Sequence, residues 1–82
     1  MTEPIPVEAR FEPNGTLIPL AFEWQGQRFT IESHGRQWEE NGTHHFLVMV
    51  AGDRVFELVY LHEENQWELR RSPHDFNRHP FI

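Results

Sequence analysis

The stretch His44-His45-Phe46-Leu47-Val48-Met49-Val50-Ala51-Gly52-Asp53-Arg54-Val55-Phe56-Glu57-Leu58-Val59-Tyr60-Leu61 is the longest hydrophobic material in the chain. Two runs rich in β-branched and aromatic residues flank Gly52-Asp53, a strong turn dipeptide, so the stretch is expected to form a central β-hairpin. A two-residue turn there pairs Val50 with Val55, Met49 with Phe56, Val48 with Glu57, Leu47 with Leu58, Phe46 with Val59 and His45 with Tyr60.

Working outward, Thr16 to Trp24 alternates, with Ile18, Leu20, Phe22 and Trp24 on one face, and Pro19 places this strand at a sheet edge. Gln25-Gly26 turns it into Gln27–Ser33, a register that sets Phe22 against Phe29, Leu20 against Ile31 and Glu23 against Arg28. Apolar thus meets apolar, and charge meets opposite charge. Trp38 has the opposite parity to Phe29 and Ile31, so a bulge at Gly35 is expected, with a helical turn through Gln37–Glu40 as the competing reading. Asn41-Gly42 pairs Trp38 with His45 and Glu39 with His44. Beyond the central hairpin, Glu64-Asn65 turns the chain into Gln66–Arg71 and matches Tyr60 with Leu69.

These elements predict an all-β domain over residues 16–72: about five antiparallel strands in meander order, forming a strongly bent sheet or a small SH3-like barrel. Residues 1–15, with Pro4, Pro6 and Pro13, read as an extended arm that either adds an edge strand or stays a free tail; residues 73–82 read as an irregular C-terminal tail. The expected core holds Trp38, Leu47, Met49, Phe56, Leu58, Tyr60 and Leu69, joined by Leu20, Phe22, Phe29 and Ile31. The opposite face would carry Phe46, Val48, Val50, Val55, Val59 and Leu61, too much apolar surface for water. The chain's own tails, including Phe76, Phe81 and Ile82, or a second copy of the chain would cover it.

Composition limits the chemistry. The 82 residues carry no cysteine and a formal charge of −6, and every one of the seven positive charges is arginine. Disulfides and thiolate metal sites are therefore excluded, and the acidic total disfavours a phosphate backbone as partner. No run approaches the roughly 20 apolar residues of a membrane span, and Met1-Thr2-Glu3-Pro4 lacks the marks of a signal peptide, so a cytoplasmic protein is expected.

Six histidines invite a metal site. His44 and His45, however, point to opposite faces of a strand, and His74 and His79 fit no ligand spacing, so neither a metal nor another cofactor is expected. Ser33 and Ser72 lie in no nucleophile elbow, no Gly-rich loop precedes a helix, and the pairs Glu39-Glu40 and Glu63-Glu64 sit at turns. No catalytic residue emerges, and the chain reads as a non-enzyme. The candidate interaction surface is Trp24, Arg28, Trp67, Arg70 and Arg71 with Phe46, Val48 and Val59. Strand-borne aromatics beside arginine suit a protein partner, a second copy of the chain as a homodimer or, as the alternative, a nucleic acid for which this would be an accessory domain.

Phe22-Glu23-Trp24-Gln25-Gly26-Gln27-Arg28-Phe29-Thr30-Ile31, Trp38, Val55-Phe56-Glu57-Leu58 and Trp67-Glu68-Leu69-Arg70-Arg71 together resemble a family of small uncharacterised bacterial domains of unknown function. Its pattern is Phe-x-Trp-x-Gly-x-x-Tyr-x-Val, then Trp, Tyr-x-Leu and a closing Trp-x-Leu. This chain departs from it with Phe29 for the usual Tyr and with His44-His45 at tryptophan-rich positions. The resemblance spans Phe22 to Arg71. It implies an all-β fold and a bacterial cytosolic setting, and it transfers no functional residue.

Overall fold

A computed structural model describes residues 3–77. Its architecture is all-β and antiparallel, as expected, but it comprises eight strands in two separate sheets and no closed barrel. The strands are β1 (Glu3–Pro4), β2 (Val7–Phe11), β3 (Leu17–Trp24), β4 (Gln27–Thr30), β5 (Ser33–Glu40), β6 (Thr43–Val50), β7 (Arg54–Leu61) and β8 (Gln66–Arg71); a short helix, α1 (Pro73–Asn77), follows. The larger sheet runs β1-β8-β7-β6-β5 and the smaller β2-β3-β4. Among the described residues, no helix is long and apolar enough to cross a membrane.

The chain passes between the sheets at two places. Ile5 N–H donates to the Trp67 carbonyl on one sheet, and the Pro6 carbonyl accepts from Glu23 N–H on the other. Ile31 N–H donates to Leu20 and Glu32 N–H to Met49 in the same manner. The N-terminal segment thus contributes two strands that tie the layers together. It does so without covering an exposed apolar face.

The core lies between the sheets and is aromatic at its centre. Phe56 from β7 is fully buried, with its ring 4.9 Å from Phe22, 5.3 Å from Phe29 and 5.4 Å from Trp24. Offset and edge-on geometries of this kind add to the hydrophobic burial that a chain this short depends on. The Phe22–Phe29 and Glu23–Arg28 pairs stand as the Gln25-Gly26 turn predicts. Trp38 with His45 and Glu39 with His44 pair likewise, and a bulge lies between His34 and Gln37, so the segment Gln37–Glu40 is strand and not a helical turn.

Four expectations are corrected. The central hairpin has a three-residue connection, Ala51–Asp53, with Gly52 and Asp53 both at positive φ, so Val48 pairs with Phe56 and Phe46 with Leu58. A one-residue slip of this sort exchanges the faces of a strand. Phe46, Val48 and Val50 are therefore core, while Leu47 and Met49 are half-buried on the outer face of the larger sheet. Between β7 and β8 a four-residue connection, His62–Asn65, sets Tyr60 opposite Trp67; the Tyr60 hydroxyl then donates to Asn65 Oδ1 at 2.5 Å and ties the turn down.

Pro19 lies in the middle strand of its sheet. It is accommodated because the β3–β4 ladder ends at Ala21 and the β2–β3 register shifts beside it, with Leu20 as the extra residue of β3, so Pro19 lies at the margin of the paired region. The same shift buries Leu17 and leaves Ile18 and Leu20 only half-buried. Finally, Pro73–Asn77 is helical. Ser72 is its N-cap, with its N–H and hydroxyl both directed at Asp75 Oδ2 and Pro73 in the first helical position, a capping box legible in Ser72-Pro73-His74-Asp75. Phe81 and Ile82, expected as covering residues, lie outside the described residues.

The register makes an expected order of stabilities. Phe46→Ala should cost about 3–5 kcal/mol and Leu47→Ala about 1 kcal/mol in urea unfolding. The reverse order would return the hairpin to the two-residue turn.

Candidate functional site

Glu57 sits at the middle of β7 on the outer face of the larger sheet, yet it is only 1% exposed. A carboxylate removed from water in this way must be matched by donors. Three elements supply them. His45 Nδ1 donates to Glu57 Oε2 at 2.8 Å, Arg71 Nε donates to Oε1 at 2.5 Å, and Arg70 Nε stands 3.6 Å from Oε2.

Strand pairing explains why these groups meet. His45 lies two residues before Leu47, the partner of Glu57 across β6–β7, so it shares the outer face. On the other side the β7–β8 register shifts between Glu57 and Leu58, leaving Arg70 as the extra residue of β8 and Arg71 opposite Glu57. Bulges re-aim side chains, and here one directs two consecutive arginines to a single carboxylate.

The cluster extends in both directions across the sheet. The Trp38 ring is stacked on His45, 5.0 Å between centroids and 9° from parallel, and the Arg36 guanidinium lies 5.3 Å over Trp38. At the far end the Arg71 guanidinium lies 4.5 Å over the Phe76 ring of α1. Arg36, Trp38, His45, Glu57, Arg71 and Phe76 thus form one row of stacked and ion-paired groups from β5 to α1. A surface pocket of about 400 Å³ opens over it, lined by Trp38, Glu40, His45, Glu57, Arg70 and Arg71.

His45 Nε2 lies 2.9 Å from Thr43 Oγ1, which gives Glu57, His45 and Thr43 the connectivity of a carboxylate–imidazole–hydroxyl relay. The Thr43 hydroxyl, however, donates to the Glu40 carbonyl at 2.6 Å. With its proton held there, Thr43 serves His45 as an anchor and not as a nucleophile. What the arrangement offers chemically is a rigid aromatic plane beside two guanidinium groups with half-exposed side chains, 55% for Arg70 and 42% for Arg71. The two arginines face two carboxylates, Glu57 buried beneath them and Glu40 exposed at the rim, so the local charge is balanced in a chain whose total is negative.

Of the residues singled out in the sequence, Arg70, Arg71 and Val59 meet on this face. The others do not join them. Trp24 packs on Phe29 and Phe56, and Trp67 on Phe46 and Tyr60, so both indoles belong to the core side; Trp24 Nε1 is buried with no hydrogen-bond partner among the described residues. Phe46 and Val48 are buried in the core, a correction that follows from the hairpin slip. Arg28 is engaged with Glu8 across the smaller sheet. Trp38, expected in the core, faces outward onto His45, because the bulge before Gln37 shifts its parity, and His45 and Glu57 were missed as site residues. Their signal was a glutamate inside an apolar strand, Val55-Phe56-Glu57-Leu58-Val59, which asks for a buried partner.

Glu57→Ala should destabilise the protein by about 3–5 kcal/mol, because it leaves buried donors unmatched, whereas Arg70→Ala should cost less than about 1 kcal/mol. Equilibrium unfolding in urea distinguishes the two. Compared with protein-family models, curated proteins and solved structures, the chain matches none.

Proposed function

We propose that the protein is a non-enzymatic protein-interaction module that receives an acidic segment of a partner on the outer face of its larger sheet. The observation that carries this reading is the convergence of Arg70 and Arg71 on the buried Glu57 carboxylate beside the Trp38 plane. Glu57 restrains the arginines while their exposed parts remain available to a second carboxylate, and restraint lowers the entropy lost on binding. Leu47, Met49 and Val55, half-buried on the same face, provide an apolar strip beyond the charged pocket. The partner segment therefore combines acidic with aliphatic side chains.

A nucleic-acid accessory role finds less support, since Trp24 and Trp67 face the core and Arg28 is ion-paired. The resemblance of Phe22–Arg71 to small bacterial domains is the support for a bacterial cytosolic setting.

The test is an array of acidic peptides with interspersed leucine, probed with the wild-type chain and with Trp38→Ala/Arg70→Glu. The wild type should bind a subset, more weakly as salt rises, and the double variant, folded by circular dichroism at the assay temperature, should lose at least about tenfold in affinity. Equal binding by the two proteins would remove this face as the docking site. Salt-sensitive capture of single-stranded oligonucleotides in place of peptides would favour the alternative.

A further inference from the structure

On the face of β6 opposite His45, three potential ligands converge, two from strands and one from the β7–β8 connection. Glu39 of β5 pairs directly with His44 of β6, and His62 follows the end of β7. His44 Nδ1 lies 3.7 Å from Glu39 Oε2, His62 Nε2 lies 3.7 Å from the same oxygen, and the three donor atoms are all within 4.8 Å of one another. These separations are too long for hydrogen bonds. They are close to the edge of a coordination tetrahedron, roughly 3.4 Å for bonds of ~2.0–2.1 Å.

We propose that Glu39, His44 and His62 bind a divalent transition-metal ion of the zinc type, leaving at least one coordination position open to solvent. Nitrogen and carboxylate donors in a two-histidine, one-carboxylate set suit such an ion, whereas calcium and magnesium require oxygen ligands.

Further observations favour metal over a simple cross-strand ion pair. His44 Nε2 donates to Gln37 Oε1 at 3.1 Å, which places the lone pair on Nδ1, the atom nearest Glu39. A second hydrogen bond of this kind is what orients a ligating imidazole. The His44 ring is also stacked on Phe46, 4.3 Å between centroids and 16° from parallel, so its plane is fixed before an ion arrives. Glu39 and His62 are exposed, with side chains 69% and 47% accessible, which leaves an entry path and lets His62 close the remaining gap.

Spacing along the chain does not reveal this site. Adjacent His44 and His45 indeed face opposite ways, and each enters a different cluster through its strand neighbours.

The experiment is calorimetric titration of Zn²⁺ into the tag-free full chain, stripped beforehand with a chelator, together with Co²⁺ absorption spectra. One equivalent of Zn²⁺ should bind and raise the melting temperature, and Glu39→Gln and His62→Ala should each weaken binding by about tenfold or more. Both side chains are exposed, so the melting temperature of the metal-free variants should equal that of the wild type. Co²⁺ should give visible bands that the variants lack. Absence of binding, identical affinity in the wild type and the Glu39→Gln/His62→Ala double variant, or loss of binding on His74→Ala with retention in Glu39→Gln would each overturn the proposal.

Discussion

Burial of the Glu57 carboxylate is the constraint on which the outer half of the molecule depends. A carboxylate at 1% exposure is tolerable only when hydrogen-bond donors surround it, and those donors come from β6 and β8, on either side of β7. The requirement is directional. It demands that His45 share the face of Glu57 and that β8 carry an extra residue at Arg70, so the polar cluster reports the register of both neighbouring strands. A slip of one residue in either would leave a charge unpaired in a low-dielectric setting, a penalty far larger than the loss of a surface pair.

The inner half is held by a different force. Phe22, Phe29, Phe56 and Trp24 gather where the smaller sheet lies over the larger one, and their area compensates for a short chain without disulfides. Hydrophobic burial is nondirectional and would accept more than one pairing. The charged row on one face and the aromatic cluster on the other are therefore complementary: the cluster supplies most of the burial, and the row discriminates between registers. A single strand, β7, serves both with alternate side chains, Phe56 and Leu58 inward and Glu57 and Val59 outward.

The same alternation separates the two proposed activities. His44 and His45 are neighbours in sequence but lie on opposite faces of β6, one among Gln37, Glu39 and His62, the other against Trp38 and Glu57. A ligand at either site would leave the other accessible. Bulges add to this division, since those at Gly35 and Arg70 change parity locally and bring Trp38 and both arginines to the outer face.

The sequence by itself determined the all-β class, the Phe22–Phe29, Glu23–Arg28, Trp38–His45 and Glu39–His44 pairs, and the bulge near Gly35, because hydrophobic period and turn dipeptides act within a few residues. It also held the α1 capping box and the anomalous Glu57 in plain view. Tertiary structure alone decided the division into two sheets, the three-residue connection that puts Phe46 and Val48 in the core, and the meeting of Trp38, His45, Glu57 and Arg71. The reason is physical: a loop of two residues and a loop of three differ little in local energy. The choice between them is made by what each register buries, and that depends on a second sheet and on cations more than ten residues away.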